Sequence, residues 1–152
     1  MKTATDTALL VIGYGNLLRE DDAAGPLVAG QVEALRLPGV RTLSCHQLLP
    51  EMAEAVAAAL AVVFVDAAAG PAGRVRLQPL SADPSAQLMT HAPGPEKLLA
   101  LAREVCGEAP PAWLLTIPAA NFGFADTPTP AVQAGIAEAV HTIAMLAAEW
   151  TF

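Results

Sequence analysis

Apolar positions follow two rhythms along the chain, short unbroken runs and sets at helical spacing. Ala8-Leu9-Leu10-Val11-Ile12 runs without a polar residue to Gly13, and Ala61-Val62-Val63-Phe64-Val65 does the same up to Asp66. Such runs predict strands buried on both faces, as in a parallel sheet covered by helices. Between them Leu27, Val28, Val32 and Leu35 recur at helical spacing until Pro38-Gly39 stops the pattern, which predicts a helix. Residues 40–44 read as a short strand, and 50–60 as an alanine-rich helix with Pro50 in its first turn. The order so far is βαβαβ.

Downstream, 67–73 reads as a turn, and Arg74-Val75-Arg76-Leu77 alternates like an edge strand with exposed charges. Residues 78–95 are rich in Pro, Ser and Ala and read as loop, 96–105 as a helix, and 113–117 as a strand. Thr129 followed by Pro130 begins a long helix through about residue 149, with Thr129 as its N-cap. These elements predict one α/β domain over residues 1–152, three layers α/β/α around a twisted, mostly parallel sheet of about five strands. Ligands of such sheets bind beyond the carboxyl ends of the strands.

Composition narrows the function classes. With 54% apolar and 15% charged residues the chain is too apolar for a disordered protein. A formal net charge of −7 has the wrong sign for neutralising nucleic-acid phosphates. The unbroken apolar stretch 57–65 is well short of the ~20 residues of a membrane-spanning helix, so no membrane association is expected. Lys2 and the short run 8–12 do not make a signal peptide. Cys45 and Cys106 form no CxxC pair and suit a reducing compartment, so the expected location is the cytoplasm.

Three places could carry chemistry. The first is the glycine turn after the first strand, Gly13-Tyr14-Gly15-Asn16-Leu17-Leu18, with Glu20, Asp21 and Asp22 at the start of the next helix. A dinucleotide fingerprint needs a third glycine where Leu18 stands, and three acids would repel a phosphate from the helix N-terminus. The plain alternative, acids complementing a helix dipole, accounts for one acid better than for three. The second place is Asp66, a carboxylate ending a buried strand, which is costly unless solvated, hydrogen-bonded or bound to a cation. A turn-forming Asp is its alternative.

The third place is His91, in a segment with no other ionisable group between Asp83 and Glu96. It suits metal ligation or proton transfer, against the plainer reading of a surface loop histidine. His141 lies inside the last helix as a structural or exposed residue, and His46 ends the second strand. If strand ends and loops bring Asp22, Asp66 and His91 together, they make a set able to hold a divalent transition metal with positions left open. Neither HExxH nor GxSxG occurs, Ser44, Ser81 and Ser85 have no evident base, and Cys45 and Cys106 read as core or surface thiols.

In these residues the sequence resembles the [NiFe]-hydrogenase maturation proteases over nearly its whole length. The resemblance rests on Gly13-Tyr14-Gly15-Asn16-Leu17-Leu18 with Asp21-Asp22 and Gly25, and on Val63-Phe64-Val65-Asp66-Ala67. It extends to His91 ahead of a leucine-rich helix and to Leu115-Thr116-Ile117-Pro118 before the C-terminal helix. It implies an endopeptidase that removes the C-terminal extension of a hydrogenase large-subunit precursor after nickel insertion. The substrate's nickel would be the recognition element, with Asp22, Asp66 and His91 contacting it and no resident cofactor.

Gly13, Gly15 and Asn16 would then form the structural turn, and water activated by Asp66 or Asp22 would attack. Cys45-His46-Gln47-Leu48 resembles the HQL variant of the family, which implies His46, Gln47 and Leu48 as specificity residues and a precursor of the bidirectional, NAD-linked type as partner. Two departures stand out: Asp22 where some members have Glu, and Ala23-Ala24 where a glycine often follows the acid pair. A different class would use the same residues without cutting, as a nickel-binding or chaperone module docked on a metalloenzyme precursor. A nucleotide-binding oxidoreductase is the third possibility.

Overall fold

The two unbroken apolar runs lie side by side in the interior of the sheet. In the computed structural model, which describes residues 7–69, 74–82, 94–119 and 128–150, β1 (Leu9–Tyr14) pairs in parallel with β3 (Ala61–Ala69) from Leu9 opposite Ala61 to Gly13 opposite Val65. β2 (Val40–Cys45) pairs in parallel with β1 on its other side, and β5 (Ala112–Ala119) with β3. β4 (Arg76–Leu80) closes the sheet as an antiparallel edge on β5, giving the order β2-β1-β3-β5-β4.

Alternation along the strands splits the core in two. Leu9, Val11, Val63 and Val65 face α1 (Ala24–Ala34) and α4 (Pro130–Trp150), whereas Leu10, Ile12, Val62 and Phe64 face α2 (Ala53–Ala58) and α3 (Pro95–Cys106). Each of these large side chains is fully buried, and each contributes roughly 1.5–3 kcal/mol on leaving water. The result is the α/β/α sandwich expected from the pattern.

Several boundaries differ from the expectation. β3 does not turn at residue 67 but continues to Ala69, because β5 keeps pairing with it from Asp66 opposite Thr116 to Ala69 opposite Ala119. The edge strand starts at Arg76 and runs through Gln78 and Leu80, so part of the expected loop is strand. Pro79 is tolerated there because an edge leaves one row of backbone groups unpaired. The second helix opens as a 3₁₀ turn over Pro50–Met52 before α2. α4 is long and apolar enough by length and composition to cross a membrane, although no unbroken stretch signals it. In the fold Val132, Ile136, Ala139 and Ile143 of α4 are buried in one core with Leu115 and Ile117 of β5, and Trp150 meets Trp113 edge to face at 6.2 Å.

The connections place a crevice at a defined point. From β1 the chain passes through α1 to β2 on one side, then returns through α2 to β3 on the other. The carboxyl ends of β1 and β3 therefore flank the topological switch point, where open α/β sheets bind ligands. Pairing between them stops at Gly13 and Val65, so Asp66 is the first β3 residue beyond β1's register.

Candidate active site

The glycines after β1 let two backbones come closer than side chains permit. A Cβ on Gly13 would overlap the carbonyl oxygen of Gly25, and one on Gly25 would lie 2.5 Å from the carbonyl oxygens of both Tyr14 and Val65. Gly15 takes φ +147°, and a Cβ there would meet the carbonyl oxygen of Asp22. These approaches pack α1 and the turn before it closely against the end of β1.

That turn, a 3₁₀ segment over Glu20–Ala23, separates the two adjacent aspartates. Asp22 is half-buried, and its Oδ2 accepts the Asn16 backbone N–H at 2.8 Å. Asn16 in turn accepts the Leu18 N–H on its Oδ1 at 2.9 Å, and its carbonyl takes the Arg19 N–H at 3.2 Å. Asp21 points elsewhere: it is 0% exposed and accepts the Thr129 N–H and hydroxyl on Oδ1, at 2.8 and 3.0 Å. The acids therefore have separate partners, which simple complementation of a helix dipole does not describe.

Asp66 is half-buried beside this loop. Burial pushes its carboxyl up to about 6, and the nearby charge of Asp22 adds to the rise. Hydrogen bonds from the Tyr14 hydroxyl and the Ala67 N–H act the other way by favouring the charged form. Tyr14 is itself pushed up, first by burial and then by the Asp66 charge, so it stays a neutral donor to that carboxylate. The structure thus brings Asp22 and Asp66 within electrostatic reach of each other at the switch point. His91 lies outside the described residues, and among those described no three His, Cys, Asp or Glu side chains cluster to hold a metal ion.

A cavity of about 270 Å³ opens between the glycine turn and the end of β2, lined by Asn16, Leu17, Pro26, Cys45 and His46 among others. Leu17 in its wall is 53% exposed, and Leu18, next in sequence, 65%. Cys45 carries a thiol pushed up by burial, and its carbonyl accepts the Gly15 N–H at 3.0 Å, tying the β2 end to the glycine turn. His46 and Gln47 are exposed, but Leu48 is 2% exposed and sits in the core under α2. His141 is exposed on α4, far in sequence from these loops.

Sequence reading missed two groups. Tyr14 is the one tyrosine of the chain and falls between the two glycines, a position that could have marked it. The partnership of Asp21 with Thr129 spans 108 residues, and no local pattern announces it.

No family model matches the sequence, and no curated protein sequence does. Solved structures do match. The [NiFe] hydrogenase maturation protease HycI from Thermococcus kodakarensis KOD1 superposes with a TM-score of 0.72 at 26% identity, over 95% of this chain and 94% of that one. The Escherichia coli hydrogenase maturating endopeptidase HybD gives 0.72 at 24% identity, over 93% of each chain. The [NiFe] hydrogenase maturation protease HybD from Thermococcus kodakarensis gives 0.69 at 21%, over 92% of this chain and 99% of that one, again a likeness of fold.

Proposed function

We propose, on the premise of the [NiFe]-hydrogenase maturation protease fold that this chain has, that it is an endopeptidase removing the C-terminal extension of a [NiFe]-hydrogenase large-subunit precursor. The observation that carries the proposal is the juxtaposition of Asp22 and Asp66 at the switch point, with Tyr14 donating to Asp66. Two carboxylates of unequal environment suit both parts of the task. Hard oxygen ligands can contact a nickel ion brought by the precursor, and a carboxylate poised near 6 can take a proton from water at neutral pH.

In this reading nickel belongs to the substrate, and the protein keeps no metal of its own. Asp22, Asp66 and His91 contact the ion and so place the scissile peptide beside Asp66. Water loses a proton to Asp66 as its oxygen bonds to the carbonyl carbon. The same proton then passes to the leaving nitrogen as the C–N bond breaks. Binding is positional: the ion fixes which peptide bond lies near the base.

His46 lines the neighbouring cavity and Gln47 follows it as an exposed residue; in this reading both meet the precursor, of the bidirectional NAD-linked type by their sequence context. The free thiols Cys45 and Cys106 accord with action in the cytoplasm.

The test is the intact mass of a precursor large subunit, nickel-loaded and nickel-free, before and after incubation with the protein. Loss of a C-terminal peptide from the loaded form alone is the expected result. An unchanged mass of both, with the protein bound to the precursor, would instead support a chaperone or nickel-binding module.

A further inference from the structure

Asp21 and Asp22 are neighbours in a 3₁₀ turn, where successive side chains point about 120° apart. One acid therefore cannot face the crevice unless the other faces away from it. Asp21 is 0% exposed, with Thr129 donating its N–H to Oδ1 at 2.8 Å and its hydroxyl to Oδ1 at 3.0 Å and Oδ2 at 3.2 Å. A carboxylate so far from water is tolerated where hydrogen bonds replace the lost solvation. Thr129 immediately precedes α4, and its carbonyl accepts the Gln133 N–H at 2.9 Å, so the positive end of a long helix also faces Asp21.

On a different side of the same turn, Asp22 is held by the Asn16 N–H at 2.8 Å. Immediately before the two anchored aspartates Glu20 takes φ 33°, a conformation a non-glycine residue keeps only when its surroundings fix it. α4 does not need the tether to stay docked, since Val132, Ile136, Ala139 and Ile143 already bury it against the sheet. Loosening the tether would therefore release the turn before it released the helix.

We infer that Asp21 and Thr129 are positioning residues that fix the rotation of the turn and so the direction in which Asp22 presents its carboxylate to the substrate. The inference rests on the endopeptidase reading above for its effect on rate, but not for its effect on the turn. A displacement of about 1 Å at a reacting group is enough to cost about a hundredfold in rate.

The experiment compares wild type with Thr129→Val, which deletes the hydroxyl, Asp21→Asn, which deletes the charge, Thr129→Ser, which restores the hydroxyl, and Ile136→Val as a core control on α4. Two readouts are taken on folded protein: kcat and KM for cleavage of nickel-loaded precursor, and hydrogen exchange of the Asn16 amide that Asp22 holds. Thr129→Val and Asp21→Asn should lower kcat at least about tenfold with KM within about twofold, and speed Asn16 exchange by a similar factor. Thr129→Ser should match wild type, and Ile136→Val should move neither readout beyond its loss of Tm.

Unchanged kcat and unchanged Asn16 exchange in both tether variants would overturn the inference. Should Asp21→Asn fail to fold, Thr129→Val decides. A wild type that cleaves no precursor would defeat the endopeptidase reading alone, and Asn16 exchange would still decide whether the tether holds Asp22.

Discussion

The carbonyl oxygen of Gly25 occupies the space that a side chain on Gly13 would need. Through this contact the N-terminal end of α1 lies directly on the end of β1, and the turn bearing Asp22 is drawn over the switch point. A methyl group at residue 13 would meet rigid backbone, not a side chain that can swing away. Gly13→Ala should therefore destabilise by about 2–4 kcal/mol, read as a drop in Tm or in the urea midpoint. A variant as stable as wild type would mean that α1 is free to withdraw.

Asp66 makes the fold less stable as pH rises through its titration. Its folded-state value, about 6, lies above the ordinary 3.8, so between these values the native state holds a proton that the unfolded chain has lost. The contribution of Asp66 to stability thus falls across pH 4 to 6, and the cost is complete above 6. Asp66→Asn, which cannot ionise, should be more stable than wild type at pH 7 by on the order of 1–2 kcal/mol, after allowance for partial solvent screening. At pH 3.5 the two should be nearly equal, and urea titrations at both pH values check this.

Catalysis should depend on pH in the opposite sense. If ionised Asp66 is the base, cleavage rises with pH around a midpoint near 6. Tyr14→Phe removes the hydroxyl whose hydrogen bond favours the charged carboxylate, so that midpoint should move upward and the rate at pH 6 should fall. A profile of kcat/KM against pH for both proteins gives the answer, and identical midpoints would remove Tyr14 from the account.

Leu48 and Gln47, adjacent in the segment that suggests partner choice, should behave differently. Leu48 is buried in the core with Val56 and Leu98, so Leu48→Ala should cost about 2–5 kcal/mol. Gln47 is exposed, and Gln47→Ala should leave Tm unchanged while altering the relative cleavage of different precursors. Thermal melts with paired precursor assays separate these effects.

These residues also show what could be read from the sequence. Leu9 to Ile12 and Val62 to Val65 have no polar face, and that alone placed them in the middle of a parallel sheet covered by helices. Asp22 and Asp66 stood out because charge follows closely on such strands, and the topology brings them together. Element ends were less legible. Whether β3 stops at Asp66 or continues to Ala69 is decided by its neighbour β5, not by its own residues.

Buried polar partnerships were invisible for a similar reason. The hydroxyl of Tyr14 and the pairing of Asp21 with Thr129 depend on three-dimensional proximity, and one aspartate in Asp21-Asp22 looks locally like the other. Leu48 shows the reverse error, since an apolar residue within a recognition segment is as easily core as contact.

The central claim is that the carboxylate of Asp66 does the chemistry at the switch point. It is tested most directly by single-turnover cleavage of nickel-loaded precursor, followed by intact mass, with wild type and Asp66→Asn side by side at pH 7. The account predicts loss of the C-terminal peptide with wild type and at least about a hundredfold slower loss with the variant, which remains folded. Cleavage by Asp66→Asn at the wild-type rate would contradict it.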